Sequence, residues 1–451
     1  MKMTLAILTL LSTSAWANLH LAPPDFVSKS GRSVFVDFKT AQYDVTYDLE
    51  NKITTVRSTI VFEAEKTGKP IFDLVPNPKN VTLDGVATRV VALDFPDKIS
   101  KARLVDTFVD PGEHVLKMEN TFKANVRYHD NNTFNVSSAF WIRDLKERMF
   151  LEQYVPSNLE FDQYQMTINA KFVGVKKIDQ EFFTNGVVTK NSPTSWTIVY
   201  PDYFTASSLY YHTTRQGSLR RMDYNYLSVN GREIPVTVYT PWYLATSDFK
   251  KYSEEIFAEL EADYGPWGHP SFVAYGTLPG TGGMEHSGAT QTSLGAFDHE
   301  MLHSYFAKGV MPSNGNSGWI DEAIASWRDR GYLRLPTVSF GGSDIGGQSV
   351  YKRNTDDRSY ALGAAFMAYL DYRLQNIGGL KAFLRGYFAA YNHMVITEQH
   401  FKNNLEFFSG MDLTHEFDTY VWGTNTPDAE GLSKQSHHHA PMTEAQLKSI
   451  L

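Results

Sequence analysis

Two histidines and two glutamates stand at a spacing that can hold and use a metal ion. Residues 299–303 read His-Glu-Met-Leu-His, an H-E-x-x-H pattern. On a helix, His299 and His303 at i and i+4 leave the same face, so both imidazoles can reach one Zn²⁺ at about 2.0–2.1 Å. Glu300 lies one residue round from that face, placed to take a proton from a water that zinc acidifies to a pKa of about 7. A plainer reading is a pair of histidines on a solvated helix face. A catalytic zinc needs a third protein ligand and an open position. Glu322 fits, eighteen residues beyond His303 within Trp-Ile-Asp-Glu-Ala-Ile-Ala-Ser-Trp, which reads as a second helix. The turn-rich stretch 311–318, MPSNGNSG, lets that helix fold back. Otherwise Glu322 is a first-turn carboxylate beside Asp321, favoured by the helix dipole.

This arrangement resembles the gluzincin metallopeptidases of the aminopeptidase N type. Their upstream G-x-M-E-N motif has a counterpart in Gly282-Gly283-Met284-Glu285-His286, and their Y-x-x-G motif in Tyr360-Ala361-Leu362-Gly363. The resemblance implies one Zn²⁺ on His299, His303 and Glu322, Glu300 as the base, and Tyr360 as hydrogen-bond donor to the oxyanion. It also implies that Glu285, with Gly283 and His286 beside it, meets the substrate, Glu285 gripping its α-amine. Glu152, in FLEQYVPSNLEFDQYQMTINAKF at 150–172, is implied to share that amine, since an ammonium takes more than one acceptor. His286 stands where the family has Asn, a change reminiscent of the glycyl aminopeptidases. The gap from Glu322 to Tyr360 is short, and Tyr351 competes for the tyrosine role; the apolar GAAFMAYL run after Tyr360 favours Tyr360.

The rest of the chain bounds these expectations. It has 451 residues, 42% hydrophobic and 14% aromatic, enough for two cored domains. It has no cysteine, which excludes thiolate ligands, a Cys nucleophile and disulfides. A net charge of −8 argues against a nucleic-acid surface. Residues 1–17 read as a secretory signal peptide ending Ala15-Trp16-Ala17, and no later stretch reaches the ~18 apolar residues of a membrane span, so an exported protein, periplasmic or extracellular, is expected.

The fold class expected is α+β, in two domains. Residues 18–215 read as an N-terminal antiparallel β-sandwich or saddle. Tyr43, Val45, Tyr47 and Leu49 alternate with polar residues, as do Val56, Ser58, Ile60 and Phe62 beyond a turn at 50–52. Asn185-Gly186 signals a hairpin between Phe182-Phe183 and Val187-Val188. The polar run 216–225 reads as a junction. Residues 216–424 read as a mixed α/β domain, thermolysin-like by the resemblance, with an amphipathic helix over 247–264 capped by Ser247 or Asp248 and carrying Phe249, Tyr252, Ile256, Phe257 and Leu260 on one stripe. Helices follow Tyr360, one starting at a Thr397 cap. The chain then stops where the family commonly continues into a helical domain that roofs the cleft. The tail 425–451 is turn-rich, and its His437-His438-His439 reads as a solvated run. Asn80, Asn131 and Asn135 head N-x-S/T sequons.

The function expected is that of an exported zinc aminopeptidase acting on peptides. Two alternatives stay open: a zinc peptidase that needs no free amino terminus, and a zinc-binding interaction module without catalysis.

Overall fold

A computed structural model describes residues 18–129, 135–142 and 150–424. The leader 1–17, Asn131 and the tail with its three histidines lie outside the described residues.

The N-terminal half is built on one long sheet because its strands bury alternate residues. Strand Asp37–Asp48 pairs antiparallel with Ile53–Ala64 across the expected turn, Asp48 opposite Ile53. Tyr43, Val45, Tyr47, Val56, Ile60 and Phe62 all face one core. Gly112–Phe122 extends this sheet antiparallel on one side and Gln165–Val173 extends it parallel on the other, within eight strands in all. A five-stranded and a four-stranded sheet complete this half. Phe150, Tyr154, Phe161, Tyr164 and Trp196 are core side chains.

The second half opens on a mixed five-stranded sheet. Its spatial order is Arg220–Leu227, Glu233–Thr240, Phe272–Gly276, Ala289–Thr292 and Gly283–His286. The inner pairs are parallel, and Gly283–His286 runs antiparallel along one edge. Helix Thr246–Tyr264 packs its Phe249, Ile256, Phe257 and Leu260 into the same core as the two motif helices, Phe297–Leu302 and Trp319–Asp329. Helices Leu362–Arg373, Gly379–Tyr391, Glu398–Ser409 and Thr414–Tyr420 close this core, and Thr397 caps the third by accepting from the His400 amide. No helix among the described residues is long and apolar enough to cross a membrane.

Four expectations change. Asn185-Gly186 is not a hairpin turn: Gln180–Thr184 and Val187–Ser192 belong to different sheets. The buried Asn185 amide donates instead to the Ser208 and Ser287 carbonyls, tying the two halves together. The run 216–225 is largely an edge strand rather than a linker, because Arg220–Leu227 alternates beside Glu233–Thr240. Helix Thr246–Tyr264 starts after Ala245 with no side-chain cap, so neither Ser247 nor Asp248 fills that role. Tyr252 lies on its exposed side, off the apolar stripe.

Gly186 is needed for packing. A Cβ there would lie 2.6 Å from Ile198 Cγ2 and 2.9 Å from the Tyr200 ring. Gly186→Ala is therefore expected to destabilise the protein by about 1–3 kcal/mol. Urea unfolding would show it as a lower midpoint at unchanged slope.

Candidate active site

The two motif helices bring His299, His303 and Glu322 to one point. The first is short: it ends at Leu302, and His303 caps it in helical geometry, so the i, i+4 relation survives. Glu322 Oε2 lies 3.2 Å from His299 Nε2 and 3.6 Å from His303 Nε2. Ligands about 2.0–2.1 Å from a tetrahedral metal are roughly 3.3 Å apart, so the donor set fits zinc. The distal imidazole atoms are fixed to match. His299 Nδ1 is 2.7 Å from Asp329 Oδ2, and His303 Nδ1 is 3.1 Å from the Phe306 carbonyl. Each ring can therefore donate from Nδ1 and turn Nε2 toward a metal.

The electrostatics say the same. Burial opposes ionisation of Glu322, but the facing imidazoles of His303 and His299 override it and hold its carboxyl well below the usual range. Burial likewise depresses His299, yet hydrogen bonds to Asp329 and Glu322 push it up to about 10. His303 is raised by Glu322 against the same penalty. The positive charge that protons supply here is the charge a divalent cation would supply.

Two further contacts hold the second helix in place. Arg328 clamps Glu259 through Nε and Nη2 at 3.0 and 2.8 Å, and reaches Asp298 Oδ2 at 2.7 Å, beside His299. Gly363 lets helix Leu362–Arg373 approach, since a Cβ there would sit 2.6 Å from the Ala323 Cβ. That approach sets Tyr360, whose hydroxyl donates to Glu322 Oε1 at 2.7 Å and whose ring lies nearly parallel to His299 at 6.1 Å. Tyr351 is elsewhere, stacked on Phe95 with its hydroxyl on the Pro24 carbonyl.

Strand alternation sorts the GGMEH residues. Gly283 and Glu285 face the metal helix. Glu285, Glu300 and His303 place acceptor atoms within 4.8 Å of one another. Gly283 touches Glu300 so closely that a Cβ would lie 2.3 Å from Glu300 Oε1. Met284 and His286 take the opposite face: Met284 enters the N-terminal core, and His286 is buried with Nδ1 on the Leu209 carbonyl. The His286 side chain thus bonds across the halves and lies on the face away from the metal helix. Burial pushes the Glu300 carboxyl up to about 8, with Glu285 adding and the histidines opposing. A divalent cation at the ligands would favour its ionised form.

Glu152 sits in a short 3₁₀ turn, Leu151–Gln153, fully buried, with Oε2 3.1 Å from Arg353 Nη1. Arg353 also meets Asp73 at 2.8 Å and Glu160 at 3.1 Å. Glu285 has a cation too: Lys308 Nζ, 3.5 Å from its Oε1, and Lys308 is buried. The sequence reading missed Lys308, Asp329, Arg328 and Arg353. Lys308 had a signal, being one cation inside the apolar run 305–311, which calls for a buried partner.

No protein-family model matches the sequence, and a search of curated proteins returns no match. Solved structures do match. Native yeast LTA4 hydrolase is 12% identical at TM-score 0.59, over 84% of this chain and 67% of its own. Legionella pneumophila aminopeptidase A, complexed with aspartic acid, is 14% identical at TM-score 0.62, over 86% of this chain and 49% of its own. The M1 zinc metallopeptidase from Deinococcus radiodurans is 13% identical at TM-score 0.58, over 83% and 91%. This chain thus spans about half the length of the Legionella protein. It has the fold of these enzymes: an N-terminal β domain followed by a mixed α/β domain.

The Gly283 contact yields a test. Gly283→Ala is expected to displace Glu300 and, with Glu300 as the expected base, to lower kcat about 100-fold, the cost of a shift of roughly 1 Å. Zinc content should not change, because Gly283 touches no proposed ligand. Metal analysis of the purified variant alongside its kinetics separates the two effects.

Proposed function

We propose that this chain is a zinc-dependent peptidase of the aminopeptidase N type. The observation that carries the reading is the convergence of His299 Nε2, His303 Nε2 and Glu322 Oε2, with Glu300 and Tyr360 on the same point. Zinc bound there supplies Lewis acidity and acidifies a water molecule. The remaining steps belong to the protein. Glu300 takes the proton of the attacking water and passes it to the leaving amine, a role suited to a buried carboxylate whose proton affinity is raised. Tyr360, a phenol protonated at neutral pH, turns its hydroxyl from Glu322 to the developing oxyanion. Strand Gly283–His286 is the last of its sheet among the described residues, the edge along which an extended peptide would add as a further strand. The match of these residues to a working set supports an enzyme over a silent zinc-binding module.

Aminopeptidase action, one residue removed from a free amino terminus, is the finer reading that Glu285 on this edge supports. A second reading, cleavage without a free amine, is favoured by one observation: Glu285 and Glu152 already have internal cations. Residues 1–17 support an exported protein. Glu300→Gln is expected to retain zinc and lose at least about 100-fold in kcat. Turnover equal to wild type in that zinc-loaded variant would end the proposal.

A further inference from the structure

Lys308 reaches the site from an unusual backbone. Its neighbour Ala307 has φ +141°, a region L-residues rarely occupy. The Lys308 amide turns back to the His303 carbonyl at 2.8 Å. Gly309 is obligatory there, since a Cβ would meet the Tyr305 and Ser304 carbonyls at 2.5 and 2.6 Å. Strain of this kind persists where the surrounding structure holds it, often beside a functional site. The turn delivers the Lys308 ammonium to Ser207 Oγ at 2.6 Å and Glu285 Oε1 at 3.5 Å. Ser207 in turn donates to Glu160 Oε2 at 2.7 Å. An ammonium has three N–H donors. Ser207 takes one and Glu285 faces a second.

These groups border a cavity of about 40 Å³, lined among others by Glu285, Lys308, Ser207, Glu160, Arg353 and Phe150. That is room for a group the size of a few waters. A substrate α-ammonium placed on Glu285 would add a second cation beside the buried Lys308, where like charges repel. The other carboxylate of the expected anchor, Glu152, is held by Arg353. A peptide amide suits the pocket better. It carries one donor, which Glu285 can accept, and one acceptor, which Lys308 can meet with its remaining N–H.

We propose that Lys308 stands in for a substrate ammonium on Glu285, so that the site takes peptides with a secondary amide, not a free amine, on the amino side of the residue before the cleaved bond. This rests on the zinc-peptidase reading and chooses between its two finer forms. The amide can come from an N-acyl cap or from a longer peptide chain.

The test uses the zinc-loaded full chain and three forms of one peptide: free amine, N-acetylated, and extended by several residues. Wild type is expected to cut the acetylated or the extended form at least about tenfold faster in kcat/KM than the free amine. Cleavage of both would mean that the amide suffices. Cleavage of the extended form alone would identify the source as internal peptide. Lys308→Met should move the preference about tenfold or more toward the free amine, mainly through KM. Lys308→Arg, which keeps the charge if the Met variant fails to fold, should retain the wild-type order. Wild type cutting only free amines, or an unchanged ratio in a folded Lys308→Met, would overturn the inference while leaving the peptidase reading intact. No cleavage of any form by zinc-loaded wild type would instead remove the peptidase reading itself.

Discussion

A buried carboxylate held between one buried and one half-buried imidazole is the constraint on which the rest depends. Glu322 lies within 3.2 and 3.6 Å of His299 and His303 and is buried with His303. Such a cluster is costly unless positive charge balances it. Much of the second half serves to hold it. Arg328 ties the two motif helices through Asp298, Asp329 orients His299, and Gly363 admits the helix that brings Tyr360 to the other Glu322 oxygen. One dication in place of two imidazole protons would keep that charge balance.

The second constraint is the seam between the halves. The strand Gly283–His286 belongs to both: one face presents Glu285 and contacts Glu300, while the other sends Met284 into the N-terminal core. From there a chain of buried polar groups crosses the seam, from Glu285 to Lys308, Ser207, Glu160 and Arg353, then to Asp73 and Glu152. The N-terminal half thus reaches the candidate site through Ser207 and Glu160, which back the Lys308 ammonium facing Glu285.

The convergence of His299, His303 and Glu322 was legible in the sequence because local periodicity decides much of it. His299 and His303 share a helix face whatever surrounds them, and the eighteen-residue gap to Glu322 is long enough for one turn and a second helix. The paired strands at 37–64 were legible for the same reason, since alternation of Tyr43, Val45 and Tyr47 has one buried solution. What escaped depends on packing between distant segments. Asn185-Gly186 carries a turn signal, yet its glycine answers to Ile198 and Tyr200 and its asparagine to Ser287. His286, which stands where the family has Asn, adjoins Glu285 in the motif, but a strand sends neighbours to opposite faces and its ring meets Leu209. Glu152 and Glu285 read as a free pair of anchors because Arg353 and Lys308 are remote from Glu152 in the chain, and only the fold unites them.

The most direct test of the central claim is an anomalous difference map at the zinc absorption edge from crystals of the zinc-loaded protein. One peak is expected, about 2.0–2.1 Å from His299 Nε2, His303 Nε2 and a Glu322 oxygen, with Tyr360 beside it. A peak centred instead among Glu285, Glu300 and His303, which also cluster within a metal's reach, would contradict the assignment of Glu300 as the base. Absence of any peak from zinc-loaded crystals would contradict the metal site altogether.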